Sequence, residues 1–326
     1  MAILLRDLVK RIPSETESVV SRTRTRYNGA IRRILRVETG LRLSSGGGVD
    51  EEDRDVHTVK IRIVPGVPAE LENLKFDDDK WLAILLAPWR STLTSLRTSL
   101  GDTKTTLLPE LLVRPDQSAR FPDIGANIEV VQSFAEALLR DAAAFDLVKT
   151  IHAIEEDILG RYSFKLTDYT HQVADAGIEL YWGVIGLIAR AIGVTVEGLT
   201  VKVLAHELAH AYTHLGADID GERWESRQFA GAERGLKEGL AQYYTSRIVE
   251  RMRGQIPDAE KAYATLLPHQ PDDYRAHNAW IDANRTPEEI RFAMISLRRQ
   301  GKGTLETFAD ALADGAGRLR RSRNDI

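Results

Sequence analysis

The chain has 326 residues, 43% hydrophobic and 28% charged, which suits two globular domains or one domain with a large appendage and excludes a fibrous or wholly disordered chain. It contains no cysteine, which excludes disulfide frameworks, thiolate zinc sites, iron–sulfur clusters and cysteine nucleophiles, so a transition metal would have to sit on His, Asp or Glu. With 44 Lys and Arg against 48 Asp and Glu, a net charge of −4, the whole molecule has no electrostatic reason to seek nucleic acid or an anionic membrane.

The opening MAILLRDLVK interrupts its apolar run with Arg6, Asp7 and Lys10, unlike a secretory signal. The most hydrophobic run, Tyr181 to Ala189, is nine residues long, short of the roughly 20 needed to cross a bilayer as a helix. A soluble, cytoplasmic protein that does not insert in a membrane is expected. Leu4 to Leu43 has a helical pattern with Val19, Val20, Tyr27, Ile31, Ile34 and Leu35 as its apolar stripe. Residues 1–40 hold nine Lys and Arg against four Asp and Glu, read as a solvated helix face rather than as a nucleic-acid or membrane arm, since the acidic stretch Asp50 to Asp55 follows. Ser44 to Gly48 marks a flexible break, Thr58 to Val64 alternates as a half-buried strand does, and Phe76 to Leu100 is strongly apolar and helical on either side of Pro88. The Pro- and Gly-bearing stretch from Pro109 to Asn127 is the expected domain boundary, separating a mixed α/β N-terminal region, 1–125, from a second domain, 126–326.

Beyond it, Ile128 to Ile158 reads as a long helix ended by Gly160, and Tyr162 to Leu166 and Ile178 to Ala189 read as strands. Thr200 to Leu215 reads as a helix with an apolar face from Val201 to Leu215, stopped by Gly216. Gly235 to Met252 is a second helical pattern. Thr286, Pro287 and Glu289 form a capping-box start for a helix through Gln300, a further helix begins at Thr304, and Gly317 to Ile326 is an arginine-bearing tail expected to be disordered. His57, His152 and His171 lie outside any ligand spacing and read as ordinary core or surface histidines.

The chemistry concentrates in HELAH. His206 and His210 are four residues apart, so on a helix both imidazoles project from one side, close enough to bind one metal, and Glu207 beside them suits a general base. Such a motif arises by chance in only about one or two of a hundred chains of this composition. An open zinc site wants a third protein ligand. His214 continues the spacing but stands some 12 Å along the helix from His206. Asp218 and Asp220 follow the helix stop and could fold back. Glu238 lies on the second helix, where Gly239 and Ala241 would let that helix approach the first.

His206, Glu207 and His210 followed by Glu238 in an E-G-L-A setting resemble the gluzincin branch of zinc metallopeptidases, over about 45 residues, Thr200 to Tyr244. The resemblance implies Zn2+ held by His206, His210 and Glu238, with Glu207 activating the zinc-bound water. It implies an α+β, zincin-like catalytic domain: a mixed sheet over the active-site helix and a helical C-terminal subdomain, with an edge strand within Ile178 to Ala189 pairing with extended substrate. Twenty-seven residues separate His210 from Glu238, so the loop from Gly216 to Ala232 is enlarged into a lid or specificity loop, and the G-x-M-E-N exopeptidase motif is absent, which favours an endopeptidase acting on proteins or peptides. Tyr243, Tyr244, His277 and His269 are candidate oxyanion donors, and Gln242 a candidate support for the ligand imidazoles. The N-terminal region is expected to bind a protein partner or regulate access. A non-catalytic regulatory protein on the same scaffold, or a zinc hydrolase of a non-peptide bond, are the competing readings.

Overall fold

A computed structural model describes residues 3–43, 59–76, 158–166, 173–301 and 303–324, with residues 95, 98, 99, 130, 133 and 136. The break at Ser44 to Gly48, the acidic stretch Asp50 to Asp55, the boundary from Pro109 to Asn127, and His57, His152 and His171 lie outside the described residues, as do the helices expected at Phe76 to Leu100 and Ile128 to Ile158 apart from isolated positions. The N-terminal elements are β1 (Ile3–Leu4), α1 (Leu5–Val9), α2 (Glu15–Thr39), β2 (Lys60–Val64) and β3 (Lys75–Phe76). After them come β4 (Gly160–Leu166), β5 (Val173–Tyr181), α3 (Trp182–Ile192), α4 (Val196–Leu215), α5 (Ser226–Gly231) and α6 (Arg234–Arg251). The C-terminal group is α7 (Pro257–Leu266), α8 (Asp272–Arg275), α9 (Asn278–Asp282), α10 (Pro287–Gln300) and α11 (Leu305–Asn324). The architecture is mixed α/β, mostly helical, with a small mixed sheet.

The long helix expected at the N-terminus is two helices, since Pro13 follows the first and begins the turn into the second. On α2, Thr16, Val20, Thr23, Tyr27, Ile31, Leu35 and Glu38 are buried, a three-and-four-residue spacing that lays one stripe of the helix against α4. Tyr212 of α4 donates its hydroxyl to the Arg32 carbonyl of α2 at 3.1 Å. Glu38, 2% exposed, pairs with Arg247 at 3.3 Å and with Arg251, which ties α2 to α6. Among the described residues the N-terminal helices therefore share one apolar core with the HELAH helix.

The sheet has strand order β2-β5-β4, with β2 parallel and β4 antiparallel to β5. Ala176, Ile178 and Leu180 alternate into the core from the central strand. The strand expected from Ile178 to Ala189 is thus half correct: it ends at Tyr181, and the apolar run beyond becomes α3. Gly183 and Gly186 explain the switch. A Cβ on Gly183 would stand 2.2 Å from Val9 Cγ1, and one on Gly186 would stand 2.8 Å from Ile12 Cγ2 and Thr16 Cγ2. Three residues apart they share one face of a helix, where a strand would turn them to opposite sides. The expected substrate-pairing edge is also misplaced, because β5 is paired on both sides, and the edge facing α4 is β4.

Thr195 caps α4, its hydroxyl accepting from the Gly198 amide at 3.0 Å. From Gly198 to Leu215 the helix is buried on every side, packed by α2, α6, α7, α3 and β4. The capping box at Thr286 and Glu289 is present. The arginine tail expected to be disordered is helical through Asn324. Among the described residues no helix is long and apolar enough to cross a membrane.

Candidate metal centre

His206 and His210 stand one turn apart near the middle of α4, and Glu238 comes from the first half of α6, which lies along it. His206 Nε2 and His210 Nε2 are 3.2 Å apart, and Glu238 Oε2 lies 3.2 Å from the first and 3.3 Å from the second. A tetrahedral zinc ion with N and O ligands at about 2.0–2.1 Å would space them about 3.3–3.4 Å apart. The three atoms therefore sit on a triangle of the right size. The imidazoles meet edge to face at 85°. Although Glu238 Oε2 is close to two ring nitrogens, it receives no well-directed hydrogen bond from either, and it is out of reach of solvent. A buried carboxylate oxygen left in that state is costly unless a cation fills the point on which the three atoms converge.

The three side chains are 3%, 5% and 7% exposed. Burial drives His206 down to about 3, with Lys202 and His210 adding to the effect and Glu238 opposing it, so the ring is neutral. Burial alone would raise the Glu238 carboxyl, but the two imidazoles beside it hold it well below the usual carboxylate range. Neutral imidazole and ionised carboxylate are the forms that bind a divalent metal. His206 also stacks on Tyr274, with centroids 5.6 Å apart and planes 20° apart, while its Nδ1 has no hydrogen-bond partner among the described residues.

A narrow cleft opens on the His206 side of this cluster. Its walls include Leu159 and Gly160 at the start of β4, Lys202, Val203 and Glu207 of α4, and Gln270 and Tyr274 from the segment after α7. Gly160 is the point of closest approach, since a Cβ there would stand 2.7 Å from Val203 Cγ1, 3.0 Å from Glu207 Cγ and 3.1 Å from Glu207 Oε1. Absence of a side chain at residue 160 lets the edge strand lie against the proposed base.

His206, His210 and Glu238 are thus brought together and Glu207 lines the cleft with His206, while the other sequence candidates lie elsewhere. Tyr244 is fully buried with its hydroxyl on Met294 Sδ at 3.5 Å, Tyr243 packs against Tyr244 and Trp280, and neither lines the cleft. They follow Glu238 by five and six residues, which turns them away from the face that meets α4. Both His277 nitrogens are engaged, Nδ1 by the Tyr274 carbonyl at 3.0 Å and Nε2 by the Tyr263 hydroxyl at 2.7 Å. His269 sits on a short 3-10 turn outside the cleft wall. Gln242 donates to Gln270 Oε1 at 2.8 Å, so it supports the cleft wall rather than an imidazole.

Nor do the alternative third ligands reach the cluster. His214 lies between Tyr162 at 2.8 Å and Ser226 at 2.9 Å and stacks on Phe229. Asp218 accepts from the amides of Asp220 and Glu222 at 3.0 and 2.9 Å and pairs with Arg299 at 2.8 Å, while Asp220 pairs with the same arginine. These bonds, with buried Trp224, pin the enlarged loop to α10. Gly239 makes room for Trp280 and Ala276 rather than for α4, a Cβ there standing 3.0 Å from the Trp280 ring. Sequence reasoning passed over Lys202, Gly160, Gln270 and Tyr274. Of these, only Lys202 left a trace, as the one charged residue in the apolar stretch from Leu199 to Ala205. No protein-family model, curated protein or solved structure matches this chain.

Proposed function

We propose that the protein is a zinc-dependent peptidase of gluzincin type, acting in the cytoplasm on peptide bonds. The observation that carries this reading is the triangle of His206 Nε2, His210 Nε2 and Glu238 Oε2, 3.2–3.3 Å on each side, with Glu207 beside it on the cleft wall. A buried helix bearing HELAH beside the edge of a mixed sheet suits a zincin-like scaffold. Bound there, Zn2+ would polarise the scissile carbonyl and acidify a water. Glu207 would serve as the base that accepts a proton from the attacking water and passes it to the leaving amine, and the edge of β4 would offer backbone pairing to an extended substrate. Burial of the ligand set keeps competing water out and strengthens every charge interaction in the cleft.

Zinc content of the purified protein tests the reading. About one zinc per chain, lost in His206→Ala, His210→Ala and Glu238→Ala variants that remain folded, supports it. Wild-type protein that takes up no zinc after reconstitution overturns it.

A further inference from the structure

To bind a metal through Nε2, the His206 ring must carry its proton on Nδ1, and that nitrogen is buried with no hydrogen-bond partner among the described residues. Metal-binding imidazoles are held in place by donating this second N–H to a carboxylate, a carbonyl or a water, and a buried N–H without an acceptor is costly. The cleft beside the ring meets the need. His206 lines it whereas His210 and Glu238 do not, so it touches the ring on the side away from the metal cluster, where Nδ1 lies. It encloses about 20 Å³, and one water needs roughly 10–15 Å³, so it takes a single water and is too small for an amino-acid side chain. A buried water also needs polar partners, and the wall supplies them. Glu207 brings a carboxylate, and Gln270, whose side-chain oxygen accepts from Gln242 at 2.8 Å, keeps its amide N–H groups to offer.

We propose that the cleft is the site of one ordered water, which accepts from His206 Nδ1–H and from the Gln270 amide and donates to the Glu207 carboxylate, and that Gln270 acts through this water as a positioning residue. The water ties the ring that holds the metal to the base that works beside it. Held in this way, His206 keeps its proton on Nδ1 and its Nε2 lone pair directed at the cluster, and Glu207 keeps one orientation. This water is distinct from the one that attacks the peptide bond, because neither His210 nor Glu238 borders the cleft. The role deepens the peptidase reading and rests on it.

The test is a crystal structure of the full chain, with and without zinc, together with zinc dissociation constants measured by competition with a chelating dye. The expected result in both states is one ordered water within hydrogen-bond reach of His206 Nδ1, the Gln270 amide and Glu207. Gln270→Met, of similar length but without a hydrogen-bonding amide, is expected to lose that water and to weaken zinc binding about 10-fold, the usual scale for loss of a group that orients a ligand imidazole. Gln270→Glu keeps a polar end for both Gln242 and the water, and is expected to bind zinc within about 3-fold of wild type. Wild-type crystals in which the cleft holds no water, or in which a protein group accepts from His206 Nδ1, overturn the proposal whether or not the variants fold. Unchanged zinc affinity in a folded Gln270→Met protein, or equal losses in Gln270→Met and Gln270→Glu, overturns the positioning role. Zinc bound beside a dry cleft leaves the metal centre standing and removes the water site. A water in place in a protein that takes up no zinc removes the peptidase reading, and the role of Gln270 with it.

Discussion

Gly160→Ala tests the closeness of β4 to Glu207. The added Cβ would meet Val203 Cγ1 at 2.7 Å and Glu207 Cγ at 3.0 Å. Val203 is β-branched and helical, so its rotamer cannot swing clear, and either β4 backs away or Glu207 moves. Overpacking of this kind costs about 1–3 kcal/mol, which would lower the urea midpoint by roughly 0.3–1 M at an m-value of about 3 kcal/mol/M. The ligand triangle lies on α4 and α6 and does not include β4, so zinc uptake is expected to be unchanged. Activity is expected to fall about 100-fold, because displacement of a catalytic group by about 1 Å has that effect. Gly29→Ala on the exposed side of α2 is the control: nothing lies within 4 Å of its Cβ, and alanine at this helix position is expected to stabilise by about 0.5–1 kcal/mol. Denaturation, zinc content and peptide hydrolysis measured on both variants decide the matter. A Gly160→Ala protein with wild-type stability and rate refutes the reasoning.

Buried neutral histidines predict acid sensitivity. Burial is the main reason that His214 is pushed down to about 3 and His277 to about 4, both below the unfolded value of 6.5, so the unfolded chain takes up protons first as pH falls. Their contribution is complete above about pH 6.5 and is lost from there down to about pH 4 for His277 and about pH 3 for His214, at up to about 1.4 kcal/mol per pH unit for each ring. A urea midpoint that stays flat across that window counts against it. Asp218→Ala is expected to retain a full zinc complement, because its carboxylate serves Arg299 and two loop amides, while losing about 1–2 kcal/mol of stability. Loss of zinc in that variant, with retention in Glu238→Ala, would transfer the third ligand to the loop. Glu38→Ala removes the carboxylate shared by Arg247 and Arg251 at the α2–α6 contact and is expected to cost about 2 kcal/mol, toward the low end for a buried ion pair because both arginines are partly exposed and Arg247 keeps Glu250. A midpoint within error of wild type would show that apolar contacts alone hold the two helices.

Local patterns proved legible where the cause was local. The box at Thr286 and Glu289 and the spacing of His206 and His210 depend on residues within one or two turns of each other, so the sequence carries them directly. Glu238 was legible for a different reason: a carboxylate in a small-residue setting on an amphipathic helix is conspicuous, although Gly239 turned out to accommodate Trp280 instead of the facing helix. The oxyanion candidates failed because Tyr243 and Tyr244 were weighed by nearness to Glu238 along the chain, whereas five and six residues on a helix point elsewhere.

The less legible features depend on approaches between distant segments. Whether Tyr181 to Ala189 becomes strand or helix turns on Gly183 and Gly186 meeting Val9, Ile12 and Thr16, contacts more than 160 residues apart in the chain that no window of sequence contains. Gly160 shows the same effect at the site itself: in sequence it looks like a helix stop, and in space it is the gap through which β4 reaches Glu207. Lys202 lies between these cases. Its position on the helix was readable, and its burial was not, because the wall that encloses it is supplied by Leu159, Gln270 and Tyr274 from two other segments. A charge that looks in the sequence like an interruption of an apolar face is, in the fold, enclosed by segments more than 40 residues away on either side.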